Sequence, residues 1–311
     1  MILSASRRTD IPAYYSDWFF QRIKEGFFLV RNPMNINQVS KIKITPELVD
    51  CIVFWTKNPE PMLDRLSELK NYHYYFQFTL TSYGKDIETN LPSKGKKIIE
   101  TFKKISTAIG KEKIIWRYDP ILFTDKYSLD YHVYYFEKIA EKIHDYTEKC
   151  TISFIDFYRN TKSNMQALNL RVINQDEKQK LSIELLKIAD KYQLNLATCA
   201  ENINLGNCHI EKASCIDDRL IEKIIGYKLD ARKDKNQRLE CGCIESIDIG
   251  TYNTCMNGCK YCYANHNKRT LADNFAGYDK KSPLLCGAIK ENDIVKERLV
   301  KSCKQKKFDL F

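Results

Sequence analysis

The sequence predicts an α/β fold in which parallel strands and helices alternate to form a full or partial barrel. Seven short runs rich in β-branched and aromatic residues are separated by amphipathic stretches along the 311 residues. Most of these runs are almost continuously apolar, which is typical of parallel strands covered on both faces. Repeated strand–helix units build either a barrel or an open doubly wound sheet. We favour the barrel because no Gly-x-Gly-x-x-Gly fingerprint follows any of the runs.

The predicted elements run through the whole chain in order. The strands are Met1–Ser4, Cys51–Trp55, Tyr74–Leu80, Lys113–Arg117, Cys150–Phe157, Asn195–Thr198 and Ser246–Tyr252. The helices between them are Asp17–Glu25, Pro59–Lys70, Lys96–Ile109, Asp130–His144, Asp176–Tyr192 and Asp217–Ile225. Because no linker rich in Gly, Ser or Pro interrupts the pattern, we expect one domain, residues 1–311, with a cysteine-rich region at 199–263.

Composition sets limits on location and partners. Hydrophobic residues make up 43% of the chain, but no apolar run approaches the roughly 18 residues of a membrane span. The first residues lack the pattern of a signal peptide, so we expect a cytoplasmic protein with no membrane partner. The formal net charge of +10 permits a nucleic-acid partner or substrate, although lysine is abundant everywhere along the chain.

The cysteines are concentrated in one part of the chain. Nine of the twelve fall between Cys199 and Cys286. In a reducing compartment, clustered cysteines indicate a metal site more often than disulfides. Three of them, Cys255, Cys259 and Cys262, have C-x-x-x-C-x-x-C spacing and can hold three irons of a [4Fe–4S] cluster, which leaves the fourth iron open. Zinc is the alternative for this loop, with His266 as a fourth ligand.

A second set of four cysteines precedes this loop in the sequence. It consists of Cys199, Cys215, Cys241 and Cys243. Four thiolates can close a second [4Fe–4S] cluster or a structural zinc site. Both alternatives remain open at this stage.

The loop Cys255–Cys262, with Tyr261 before its last cysteine, resembles the cluster loop of the radical S-adenosylmethionine (SAM) enzymes. The resemblance implies that SAM binds the open iron and is cleaved reductively to a 5′-deoxyadenosyl radical, which abstracts hydrogen from an unknown substrate. It also implies an electron donor such as flavodoxin or ferredoxin, and it places Tyr261 near the adenine. The loop usually follows the first barrel strand. Here it lies near the carboxyl terminus, which implies a circularly permuted barrel of radical SAM type, with Ile247–Asn253 as the first strand.

Nearly the whole chain resembles the bacterial domain of unknown function 1848 family. The segments that carry this resemblance include Ser4–Pro12, Phe54–Pro59, Trp116–Pro120 and Asp248–Tyr263. A weaker resemblance, through Arg117-Tyr-Asp-Pro120, is to the spore photoproduct lyase group. The Gly-Gly-Glu element that receives the SAM amino group in radical SAM enzymes is absent.

Ser6, Arg7 and Arg8 occupy the place of that missing element. An arginine there can pair with the SAM carboxylate or with acidic residues on neighbouring loops. Arg117 and Asp119 follow a predicted strand and are candidates for holding substrate or SAM, or for a structural ion pair. A non-enzymatic iron–sulfur electron-transfer protein or a structural zinc protein is the alternative to the enzyme.

Overall fold

The structure is a computed structural model and describes residues 1–156, 161–201 and 210–305. Within these residues the strands are β1 (Ile2–Ala5), β2 (Phe27–Arg31), β3 (Gln38–Lys43), β4 (Cys51–Thr56), β5 (Tyr74–Thr79), β6 (Ile114–Ile121), β7 (Lys149–Phe154), β8 (Asn195–Cys199), β9 (Glu211–Ala213), β10 (Ile247–Asp248) and β11 (Ile294–Glu297). The α-helices are α1 (Ile11–Tyr14), α2 (Ser16–Glu25), α3 (Ile99–Ile109), α4 (Leu129–Ile143), α5 (Lys162–Met165), α6 (Gln175–Lys191), α7 (Asp218–Ile225) and α8 (Lys268–Ala276).

Eight strands form one sheet in the order β10–β1–β4–β5–β6–β7–β8–β9. All seven pairings in this sheet are parallel. The α/β prediction with a large parallel sheet is therefore confirmed, and each of the seven predicted strands overlaps one strand of this sheet. Phe157, at the end of one prediction, lies outside the described residues.

The last strand of the chain in this sheet stands beside the first. Leu3 pairs with Ile247 and Ser4 with Asp248, so β10 is the neighbour of β1 although 240 and more residues separate them. The predicted strand Ser246–Tyr252 is wrong in length, because only Ile247–Asp248 is extended and paired. The Gly250 N–H turns back to the Asp248 carboxylate at 2.9 Å, which ends the strand there.

The alternation of side chains along the strands separates two apolar layers. One face packs on the helices: Phe54 stacks on Phe76 and Trp116 stacks on Phe136 of α4, both with ring centroids 4.7 Å apart. The opposite face carries Tyr75, Ile115 and the buried cysteines of the second set. The sheet thus has a covered outer face and an inner face that holds polar and sulfur-containing side chains.

The helices connect these strands largely as predicted. Five of the six predicted helices are α-helices, and the sixth is a 3₁₀ helix over Glu60–Leu69. The Met62 N–H already donates to the Pro59 carbonyl, at 2.9 Å, which sets this tighter winding at the start. A small sheet of β11, β3 and β2 was not predicted. No helix of the described residues is long and apolar enough to cross a membrane.

Candidate functional site

The loop Cys255–Cys262 begins a few residues after β10, at the carboxyl edge of the parallel sheet. Asp248 of β10 joins this region to the end of β1. Its carboxylate accepts hydrogen bonds from Ser4 Oγ at 2.9 Å, from the Arg7 N–H at 2.9 Å, and from Ser6 Oγ. One carboxylate therefore holds the two adjacent strand ends in register below the cysteine loop.

The cysteine loop also pairs with the segment that follows β5. Glu88 and Cys259 form an antiparallel bridge, and the Lys260 N–H donates to the Ile87 carbonyl at 3.0 Å. The Asn90 N–H donates to the Asn257 carbonyl at 3.1 Å. The loop is thus fixed by backbone hydrogen bonds on a second side.

Asp10 fixes the loop from a third side. This buried carboxylate accepts from Asn257 Nδ2 at 3.0 Å and from the Lys57 N–H at 2.8 Å. Tyr14 Oη donates to Asn257 Oδ1 at 2.9 Å. Burial raises the pKa of Asp10, although these hydrogen bonds act in the opposite direction.

The three cysteines of the loop differ little in environment. Cys255 is buried, and Cys259 and Cys262 are half-buried. Burial raises the pKa of all three thiols, that of Cys259 to about 12, although Lys57 lowers it there. Because metal ligands must be thiolates, metal binding at this loop would release protons. In the described residues no group of three or more His, Cys, Asp or Glu side chains is already arranged to hold a metal ion.

A buried charge network lies under the loop. The Glu88 carboxylate is fully buried; it accepts from Lys57 Nζ at 2.7 Å, and also from Lys94 and Tyr261. Burial alone would raise the pKa of Glu88, but the two ammonium groups hold it at about 2. The Lys57 ammonium also lies over the Tyr261 ring, 5.5 Å from its centroid. Tyr261, predicted to lie near adenine, is thus anchored to Glu88 through its hydroxyl.

The predicted SAM-binding residues Ser6, Arg7 and Arg8 point in different directions. Ser6 Oγ bonds to Asp248 and accepts from the Arg8 N–H at 3.0 Å. Arg7 reaches the inner face, where its guanidinium lies over Trp55 and 3.8 Å from Asp234. Arg8 lies over the Tyr252 ring and donates to the Gly250 carbonyl at 3.3 Å.

Arg117, which is buried, and Asp119, which is partly exposed, form an ion pair on the inner face. The guanidinium also donates to Gln77 Oε1 at 3.2 Å and to Cys215 Sγ at 2.9 Å. The ion pair considered from the sequence is therefore present. It lies against the second cysteine set, which the structure brings together from four separate positions.

The sequence reasoning missed Glu88, Lys94 and Asp10 as parts of the site. Glu88 and Lys94 lie in a polar stretch after β5 with no motif, and Asp10 stands within a family-like segment without having been assigned a role. The only usable signal was position, since polar residues after a parallel strand gather at the carboxyl edge of the sheet. Tyr158, Arg159 and Asn202, polar residues that follow two other predicted strands, lie outside the described residues, as does Cys208, which belongs to neither cysteine set.

Fold and site together define a mixed α/β protein with a cysteine-rich loop at the carboxyl edge of a parallel sheet. A family model described as Domain of unknown function (DUF1848) matches residues 2–264. The chain belongs to this family, as its sequence predicted.

Other comparisons add little. The chain is similar to the crystal structure of a Bacteroides thetaiotaomicron protein proposed to be an alpha-L-fucosidase, with 16% identity over 57% of this chain and 72% of that chain. The TM-score of 0.26 is too low to carry an argument about fold or activity. No curated protein matches the chain.

Proposed function

We propose that this protein is a radical SAM enzyme in which Cys255, Cys259 and Cys262 hold a [4Fe–4S] cluster. The observation that carries the proposal is the position of the C-x-x-x-C-x-x-C loop, directly beyond β10 at the carboxyl edge of the sheet. In parallel α/β folds this edge is where cofactors and substrates bind. The number and spacing of the cysteines leave one iron without a protein ligand, to which SAM would bind.

The surrounding residues suit such a cofactor. Asp10 and the backbone of residues 87–90 hold the loop on two sides, and Asp248 fixes the end of the strand that leads into it, so the backbone of the loop is ordered before any metal enters. Lys57 places a positive charge near Cys259, which offsets part of the negative charge of a thiolate-bound cluster.

Arg8 is the better candidate of the two arginines for the SAM carboxylate. Arg7 is already near Asp234, whereas Arg8 makes no ion pair within the described residues. Its guanidinium lies beside Gly250, between the end of β10 and the cysteine loop. A bidentate arginine–carboxylate pair there would orient SAM toward the loop.

When bound, the cluster and SAM would supply a 5′-deoxyadenosyl radical, and the protein would orient the reactants and exclude water. Arg117 and Asp119 are proposed to contact substrate or SAM from the inner face. A reduced flavodoxin or ferredoxin is the proposed electron donor. The positive net charge permits a nucleic-acid substrate.

The test uses the full chain purified without oxygen. We expect iron and sulfide to co-purify, and SAM with dithionite to yield 5′-deoxyadenosine. The Cys255→Ala, Cys259→Ala, Cys262→Ala triple variant should lose about four irons and all product. Cys303→Ala, at a half-buried thiol outside both cysteine sets, should keep both. Zinc in place of iron, with no SAM cleavage, would overturn the proposal of a radical SAM enzyme and favour a structural metal protein. Iron that cycles between oxidation states without cleaving SAM would favour an electron carrier.

A further inference from the structure

The four cysteines of the second set converge on the inner face of the sheet. Cys199 ends β8, Cys215 follows β9, and Cys241 and Cys243 precede β10. The Cys199 and Cys215 sulfur atoms are 3.2 Å apart. The Cys243 sulfur accepts from the Ile216 N–H at 3.4 Å, and the nearby Cys215 and Cys241 thiols raise the pKa of Cys243. All four side chains are buried in one cluster on this face, so small side-chain rotations would bring the four sulfur atoms around one ion.

We propose that Cys199, Cys215, Cys241 and Cys243 bind a single zinc ion that joins the two edges of the parallel sheet. This site is separate from the loop Cys255–Cys262, and it does not depend on the function proposed for that loop. Binding would exchange four thiol protons for one Zn²⁺, without any change of oxidation state.

The distance between the Cys199 and Cys215 sulfur atoms favours one ion over a four-iron cluster. With Zn–S bonds of about 2.3 Å, a tetrahedral site places its sulfur atoms about 3.8 Å apart. The 3.2 Å between Cys199 and Cys215 is short of this by about half an ångström, which small side-chain rotations supply. A [4Fe–4S] cluster separates its cysteine sulfurs much further, because four irons and four sulfides lie between them.

The charges around the four cysteines suit a tetrathiolate ion. Zinc with four thiolates carries two negative charges in total. Arg117 donates to Cys215 Sγ at 2.9 Å, and the Arg7 guanidinium attracts the thiolates of Cys215 and Cys243. One terminal nitrogen of Arg7 is buried and has no hydrogen-bond partner in the structure. An anionic metal site beside it would compensate that buried charge.

The position of the four cysteines indicates that the ion would have a structural role. In the described part of the chain, no strand pairing joins the edge strands β9 and β10. Cys199 and Cys215 lie at β8 and β9, on one side of the gap between these edge strands, and Cys241 and Cys243 lead into β10 on the other side. The Ile244 N–H already donates to the Ile216 carbonyl across this gap, at 3.2 Å. A bound ion would cross-link both sides and hold the open sheet in a barrel-like curve.

The experiment measures metals in the full chain, purified without oxygen from cells supplied with both iron and zinc. We expect about one zinc per chain, and an X-ray absorption spectrum at the zinc edge with four sulfur neighbours at about 2.3 Å. Cys215→Ala should lower the zinc content at least tenfold. Cys51→Ala, a buried thiol in the same apolar layer, should leave it unchanged.

Two comparisons keep the outcomes distinct. The Cys255→Ala, Cys259→Ala, Cys262→Ala triple variant should retain its zinc even if it loses iron and SAM cleavage. Absence of zinc from the parent protein, fewer than four sulfur neighbours, or a loss of about four irons in Cys215→Ala would overturn the proposal. If Cys215→Ala does not fold, the absorption spectrum of the parent protein decides by itself.

Discussion

At the scale of single residues, the balance of charge around Glu88 determines how stable the structure beneath the cysteine loop is. One fully buried carboxylate faces two ammonium groups, from Lys57 and Lys94, and also accepts from Tyr261. Ionised groups of this kind are tolerated inside a protein only while they are paired. Loss of the carboxylate would leave two like charges facing each other beneath the loop.

Glu88→Gln should therefore lower the free energy of unfolding by about 3 kcal/mol or more, because it leaves two buried ammonium groups without an anionic partner. Denaturant unfolding without oxygen measures this. Adding Lys94→Met to the Glu88→Gln variant should restore part of the lost unfolding free energy. Glu60→Gln, at an exposed carboxylate, serves as the control. A loss below about 1 kcal/mol in Glu88→Gln would contradict the network.

His132 gives a second prediction at this scale. It is buried in α4, where Nε2 donates to the Leu122 carbonyl at 2.9 Å and Nδ1 accepts from Tyr118 Oη at 3.0 Å. Burial lowers the pKa of His132 from 6.5 to about 4. The folded protein therefore binds this proton more weakly than the unfolded chain does. The resulting stability is complete above pH 6.5 and is lost as the pH falls toward 4.

We expect His132 to account for about 3 kcal/mol of the stability lost between pH 6.5 and 4. His132→Gln keeps a donor for Leu122 and cannot take up a proton, so the variant should lose correspondingly less over this interval. Unfolding free energies at several pH values measure the difference. His73→Gln, at an exposed histidine, should follow the parent protein. Parallel curves for His132→Gln and the parent would refute the assignment.

At the scale of elements, the junction of β1 and β10 depends on a close approach. A Cβ atom at Gly250 would lie 2.0 Å from Ser6 Oγ and 2.6 Å from Ser6 Cβ. Ser6 cannot yield easily, because its hydroxyl is bonded to Asp248. Glycine is therefore required where the chain leaves β10 toward the cysteine loop.

Gly250→Ala should destabilise the protein by about 2 kcal/mol and lower the amount of metal bound at the loop. Thermal unfolding and iron analysis on the same preparation measure both effects. Gly95→Ala is the matched control, since a Cβ there meets nothing within 4 Å. Equal stability of the two variants would show that the junction has more room than the structure indicates.

The start of α6 offers a simpler prediction. Asn174 Oδ1 accepts from the Glu177 N–H at 2.9 Å, and the Glu177 carboxylate accepts from the Asn174 N–H at 3.0 Å, which is a capping box. Asn174→Ala should cost about 1 kcal/mol of unfolding free energy. Lys180→Ala, an exposed change on the same helix, should cost less than half of that. Equal losses would argue against the cap.

At the scale of the whole molecule, the sheet order departs from the chain order at one place. β10 stands next to β1, and the Met1 amino group lies 2.7 Å from the Lys301 carbonyl. The segments near both ends of the described chain are therefore neighbours.

A circular permutant that links residue 305 to Met1 and opens the chain between Leu239 and Glu240 should fold to the same sheet. Leu239 is 88% exposed, so the new ends would lie at the surface. Circular dichroism and metal content should match the parent protein. New ends inside β5, between Phe76 and Gln77, should prevent folding, because both residues are buried and paired. An unfolded first permutant would show that the order of the chain matters beyond the sheet it forms.

The sequence by itself determined the parallel sheet and the two cysteine sets. Buried parallel strands such as β4 and β5 require local apolar runs, and cysteines are conspicuous wherever they lie. Tertiary structure alone decided that Glu88, Lys94 and Lys57 meet under one loop, and that Arg117 donates to Cys215. These contacts join residues from separate loops and strands, and the pairing of buried charges depends on distance in space, which no local pattern encodes.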